Sequence, residues 1–154
     1  MYYMATVKTE KMNDKGNPIF KKEKFLVRAY GLTDLETSLT KELMVNPEYN
    51  GFSITSATEY PLGGIIRDDK LTEYDFYEVV VKVDIGTLEK PKFDSEKYII
   101  ESTDGELAIK KTKEHYKESA TDWYIFSHKK TPIVDLIENN TINTREEMNI
   151  EEVG

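Results

Sequence analysis

Two stretches of about seventy residues repeat one order of local patterns, and this self-similarity limits the fold more than any single motif does. Tyr3 to Glu10 (YMATVKTE) lines up with Tyr77 to Asp84 (YEVVVKVD), and Glu23-Lys24-Phe25-Leu26-Val27 lines up with Glu96-Lys97-Tyr98-Ile99-Ile100. Thr33-Asp34-Leu35-Glu36 then matches Thr103-Asp104-Gly105-Glu106, and each reads as a capping box with Thr as N-cap. Finally Phe52-Ser53-Ile54-Thr55-Ser56 matches Trp123-Tyr124-Ile125-Phe126-Ser127, Pro61-Leu62 matches Pro132-Ile133, and Ile65-Ile66 matches Leu136-Ile137.

Each stretch reads as strand, hairpin, strand, helix, strand. Residues 2–11 and 20–30 alternate with a period of two around the turn residues Asp14-Lys15-Gly16-Asn17-Pro18. A helix from Asp34 to about Met44 stripes Leu35, Leu39 and Leu43 along one face and stops before Pro47. The third strand spans 52–60, and Pro61 marks where it leaves the sheet. In the second stretch Gly86 and Pro91 punctuate the hairpin, the helix runs from Asp104 to about Glu118, and Trp123 opens the third strand. The organisation expected is a first ββαβ repeat over 1–66, a charged linker over 67–75, a second repeat over 76–137 and an acidic flexible tail over 138–154. A single helix leaves much of a sheet face wet, so the repeats are expected to form one pseudo-two-fold α+β domain with an antiparallel sheet, two helices and a joint core. Its expected members are Tyr3, Val7, Phe25, Val27, Leu39, Phe52, Ile54, Tyr77, Val79, Val81, Val83, Tyr98, Ile100, Ile109, Trp123 and Ile125.

Composition removes whole classes of function. With 154 residues, no cysteine and two histidines, the chain has no disulfide framework and no thiolate zinc site, and it is long enough to bury a core unaided. No run approaches a membrane span, and the opening Met1-Tyr2-Tyr3-Met4-Ala5 has no basic leader, so a cytoplasmic location and no membrane partner are expected. The net charge is −8, but the tail from Glu138 contributes five acidic side chains against one basic, so the body is near balance. A near-neutral body lacks the basic field of general duplex DNA binding. The lysine groups Lys21-Lys22-Lys24-Arg28, Lys110-Lys111-Lys113-Lys117 and Lys129-Lys130 read as solvated faces.

No catalytic constellation stands out, and neither a cofactor nor a metal is expected. Ser127 and His128 are adjacent with Asp135 beyond, but neighbours on a strand point to opposite faces, which denies Ser127 a base. His115, late in the second helix, suits the helix dipole. The run Asp68-Asp69 with Glu73 and Asp75 lacks the spacing and glycine of a calcium loop. Gly63-Gly64 fits no phosphate-loop spacing and reads as a flexible turn or a place of close approach.

Differences between the repeats are more telling, because they mark residues the scaffold does not require. Ser53 and Thr55 in the first become Tyr124 and Phe126 in the second, with His128, Lys129 and Lys130 just beyond. Two aromatics on a face its counterpart keeps polar need a cover: a helix of the same chain, another subunit or a ligand. Rings beside cations suit a nucleotide, with the base stacked and the phosphate met by lysine or arginine, so Tyr124, Phe126, His128, Lys129, Lys130 and Arg28 are the candidate ligand-binding residues.

The segments YYMATVKTEK, EKFLVRAYGLTDLE and SHKKTPIVDLIE together resemble an uncharacterised family of small proteins from gut bacteria and their phages, over about Met1 to Glu138. The resemblance carries no catalytic residues and implies a small, intracellular, phage-associated accessory protein. The expected function is therefore a non-enzymatic, phage-type binding protein that sequesters a nucleotide-derived signal or a host protein and antagonises host defence. The alternative is an oligomeric accessory module of phage replication or of the virion, with the aromatic face as the subunit contact. An enzyme acting on nucleotides ranks last.

Overall fold

The computed structural model describes residues 1–138, and the tail beyond Glu138 lies outside them. The elements in chain order are β1 (Tyr2–Met12), β2 (Pro18–Arg28), α1 (Leu32–Met44), β3 (Gly51–Glu59), β4 (Gly64–Ile66), β5 (Asp75–Asp84), β6 (Phe93–Ser102), α2 (Gly105–Tyr116), β7 (Trp123–Lys130) and β8 (Ile133–Glu138). They form two compact units: Met1–Tyr60 together with the segment that begins at Ile133, and Pro61–Pro132.

Each unit holds one four-stranded sheet, ordered β3-β1-β2-β8 in the first and β4-β6-β5-β7 in the second. The long strands pair antiparallel, whereas β8 runs parallel to β2 and β4 parallel to β6. The sheets are therefore mixed, and the expectation of one antiparallel sheet is corrected. The cause is where the short strands go. Pro61 and Pro132 lack an N–H and stand just past the ends of β3 and β7, and the chain then leaves the sheet it has been building. The apolar residues that follow find partners elsewhere: β4 follows β3 in the chain yet pairs with β6, and β8 follows β7 yet pairs with β2. The registers run alike, with Ile65 opposite Ile99 and Ile66 opposite Ile100, and Leu136 opposite Leu26 and Ile137 opposite Val27. Both third strands also carry a bulge, which leaves Thr55 without an opposite residue on β1 and Phe126 without one on β5.

Many of the buried apolar side chains gather in two clusters, one per unit, while Leu26, Phe76, Ile99 and Ile133 are buried outside both. Each helix supplies a stripe at four-residue spacing that closes its own sheet face: Leu35, Leu39 and Leu43 on α1, and Ala108, Thr112 and Tyr116 on α2. Thr112 is accommodated because its hydroxyl donates to the Ala108 carbonyl at 2.8 Å. Ile109 falls one position off that stripe and is only half-buried, while Phe52, Ile54, Val83, Trp123 and Ile125 pack from the cluster margins.

The helix starts differ from the expected capping boxes. Gly31 occupies the N-cap of α1 without a side-chain bond, and Thr33 lies inside the helix. Asp34 instead reaches back to accept from the Tyr30 N–H at 2.9 Å. In α2 the cap is Asp104, whose carboxylate accepts from the Leu107 N–H at 2.7 Å. A carboxylate at the helix N-terminus also gains from the dipole, and here it takes the place of the adjacent threonine.

One polar device recurs on the core faces. Glu23, 7% exposed opposite Val7, accepts from the Tyr49 hydroxyl at 2.7 Å and pairs with Lys11 at 3.0 Å. Glu96, opposite Val81, accepts from the Tyr116 hydroxyl and from that of Tyr98 at 3.2 Å. Burial, followed by the bond to the carboxylate, pushes the Tyr49 and Tyr116 hydroxyls well above the ordinary tyrosine range.

Candidate functional site

The face of the second sheet that points away from α2 collects exposed rings and lysines. Along β5 the core-facing residues are Tyr77, Val79, Val81 and Val83, so Glu78, Val80, Lys82 and Asp84 look outward. Cross-strand pairing then sets Tyr124 and Ser95 beside Lys82, Lys97 and Ser127 beside Val80, and Phe93 beside Asp84. Phe93, Tyr124 and Phe126 are 43%, 47% and 62% exposed. The first two meet edge to face, 5.4 Å between centroids. The Lys82 ammonium donates to the Ser95 hydroxyl and sits 4.8 Å from the centre of the Phe126 ring. A lysine over a ring face both holds the ring and places a cation where a stacked anion would carry its charge. Beside these residues a cleft of about 480 Å³ opens between Pro61-Leu62-Gly63 and the outward Val80, Ser95 and Lys97, with Glu96 and Tyr98 also in its lining. Its volume lies in the range of small-molecule sites, roughly 300–1,000 Å³.

The bulge at Phe126 decides which candidate residues share this face. The register beyond it sets Ser127 opposite Val80, His128 opposite Val79, Lys129 opposite Glu78 and Lys130 opposite Tyr77. Tyr124, Phe126 and Lys129 therefore lie outward, and Lys129 pairs with Glu78 at 3.6 Å. His128 and Lys130 take the helix side. The His128 ring stands beside Gly105 at the start of α2, and Lys130 pairs with Asp75 at 3.4 Å. Ser127 and His128 thus occupy opposite faces. Arg28 belongs to the first unit, at the end of β2 opposite Tyr2 and Glu138.

Lys82, Phe93, Ser95 and Lys97, all on this face, are not among the residues that the sequence pattern marks for the site. The signal that finds Lys82 is its alternation with Val81 and Val83 on β5, but which partners lie across from it depends on register. A second cleft in the same unit, about 420 Å³, lies between α2 and the end of β4. Ile66 and Leu107 give it an apolar lining, with Arg67, Lys110, Lys111 and His115 around them and Glu114 as the one acid among the lining residues. Lys111 is anchored there, 2.9 Å from Asp68 and donating to the Glu101 carbonyl at 2.7 Å. That bond holds the Asp68 carboxyl below its ordinary range. Their sequence spacing marks Lys110 and Lys111 only as part of a solvated group. The glycine pair has a local reason: a Cβ on Gly63 would stand 3.0 Å from the Tyr98 ring, so the close approach is to the chain's own side chain.

Among the described residues no group of three or more His, Cys, Asp or Glu could hold a metal ion, and no helix is long and apolar enough to cross a membrane. Over the described residues the geometry defines an α+β arrangement of two mixed four-stranded sheets and two helices, with an aromatic and lysine face on the second sheet. The chain belongs to the family described as Domain of unknown function (DUF4494), whose model matches residues 1–139. No curated protein and no solved structure matches the chain.

Proposed function

We propose that this protein captures a small planar anion of nucleotide type on the outward face of the second sheet and holds it without chemical turnover. The observation that carries this reading is the exposed pair Tyr124 and Phe126 with the Lys82 ammonium 4.8 Å from the Phe126 ring. A base would stack on the rings, and Lys82 with Lys97 at the cleft would meet the phosphate. In the phage-associated setting that the family resemblance implies, such capture would withdraw a nucleotide-derived signal from host defence. We further propose that the two segments are tandem copies of one ββαβ pattern. The matching registers of β4 and β8 and the bulges at Thr55 and Phe126 support the copy. Under that reading Tyr124 and Phe126 are additions the scaffold did not need.

Native mass spectrometry of the protein mixed with cyclic and linear nucleotides tests the reading. The expected result is a one-to-one complex whose bound compound keeps its mass on long incubation. Phe126→Ala should weaken it by about 5- to 150-fold, the equivalent of about 1–3 kcal/mol for one stacked base. No complex with any nucleotide would overturn the small-ligand reading. Light scattering separates the alternative, since an oligomer that dissociates on Phe126→Ala would assign the same face to a subunit contact.

A further inference from the structure

The first unit leaves open the place that a tyrosine fills in the second. On β1, Lys8 pairs with Ser53 and Glu10 with Phe20; on β5, Lys82 pairs with Tyr124 and Asp84 with Phe93. The cross-strand positions correspond one for one, and the phenylalanine is kept. In the second unit the Tyr124 ring packs edge to face on Phe93. In the first unit the counterpart is a serine, and a cleft of about 240 Å³ opens at that position, lined by Lys8, Glu10, Phe20, Gly51 and Ser53 with Phe52 and Thr9. Phe20 remains 59% exposed, with the Lys8 ammonium 5.3 Å from its ring centre.

We propose that this cleft is a receptor for one phenolic ring supplied by a small-molecule ligand. Tyr124 shows how a phenol lies against the equivalent phenylalanine, while the lysine differs: Lys82 covers Phe126, and Lys8 covers Phe20 itself. An aromatic ring gains from meeting the Phe20 edge or face beyond its simple burial. The Glu10 carboxylate supplies an acceptor for a phenolic hydroxyl, and Lys8 adds a cation for the π face. Gly51 lines the same cleft without a side chain of its own.

Titration of the labelled protein with p-cresol, followed by amide NMR, tests the proposal, with cyclohexanol as a non-aromatic control. Saturable shifts are expected at Lys8, Glu10, Phe20 and Gly51 to Ser53 with p-cresol, and only weak linear ones with cyclohexanol. Ser53→Tyr should fill the cleft with its own ring and abolish the response, with the remaining amide spectrum dispersed as in the parent. Phe20→Ala, at an exposed position, should weaken p-cresol binding at least fivefold without changing the fold. Equal responses to both compounds in the parent, or undiminished p-cresol binding by Ser53→Tyr or Phe20→Ala, would overturn the proposal.

Discussion

Removing one hydroxyl tests how the second unit holds its half-buried Glu96 carboxylate. In Tyr116→Phe the ring keeps its contacts with Trp123, at 5.3 Å, and with Tyr98, at 5.7 Å, but Glu96 loses a donor. Hydrogen bonds to charged groups contribute about 1.5–3 kcal/mol. Glu96 is half-buried and retains the Tyr98 hydroxyl at 3.2 Å, which places the loss at the lower end, about 1.5 kcal/mol. With a urea slope of about 2 kcal/mol/M, the midpoint should fall by about 0.7 M. The single tryptophan, Trp123, packs at the margin of this cluster, so its fluorescence reports the transition. The same substitution changes the alkaline limb. Burial first, and the bond to the Glu96 carboxylate after it, raise the Tyr116 hydroxyl above its ordinary value of 10.0; burial also raises that of Tyr98, partly opposed by its interaction with the Tyr116 hydroxyl. Below that value both the folded and unfolded chains keep the proton, and the stabilisation is complete. Above it the unfolded chain releases the proton while the folded chain holds it, so stability falls as pH rises towards the folded value. The parent should lose stability steeply above about pH 10, and Tyr116→Phe less steeply. An unchanged urea midpoint together with an unchanged alkaline slope would refute the carboxylate anchor.

Other substitutions probe separate parts of the account. Leu39→Ala removes a fully buried side chain from the first cluster and should cost about 2–5 kcal/mol in chemical denaturation. Gly86→Ala would place a Cβ 2.2 Å from the Lys90 carbonyl oxygen, and the forced backbone shift should lower stability by about 1–3 kcal/mol, read as a fall in melting temperature. Because its bond to Lys111 lowers the Asp68 pKa, the stabilisation from Asp68 is present above the ordinary carboxylate range and lost as pH falls. Asp68→Asn should therefore flatten the acid limb of a stability profile. Lys82→Ala should weaken nucleotide capture and leave the unfolding free energy within about 1 kcal/mol of the parent, since the side chain lies on the outward face.

Local pattern made the long elements legible. Alternation along residues 2–11 and 77–84 predicted β1 and β5, and the Leu35, Leu39, Leu43 stripe predicted the buried face of α1. What stayed hidden was decided by tertiary competition. A three-residue strand such as Gly64–Ile66 has no period to read, and nothing local tells Ile65 to pair with Ile99. The capping boxes failed because Asp104 outcompetes Thr103 and because Gly31 starts α1 ahead of Thr33. Ile109 is apolar and so reads as core, but the four-residue spacing of Ala108, Thr112 and Tyr116 sets the buried stripe and leaves Ile109 half-buried. Tyr124 and Phe126 stand out in the sequence because Ser53 and Thr55 hold the matching positions, but the bulge that turns His128 and Lys130 to the helix side has no signature in this stretch.

Amide NMR with the most tightly retained nucleotide tests the central claim, the location of the capture site, most directly. The largest saturable shifts should fall on Val80, Lys82, Ser95, Tyr124 and Phe126. Shifts concentrated instead on Arg67, Leu107, Lys110 and His115 would contradict the claim and move the site to the cleft beside α2.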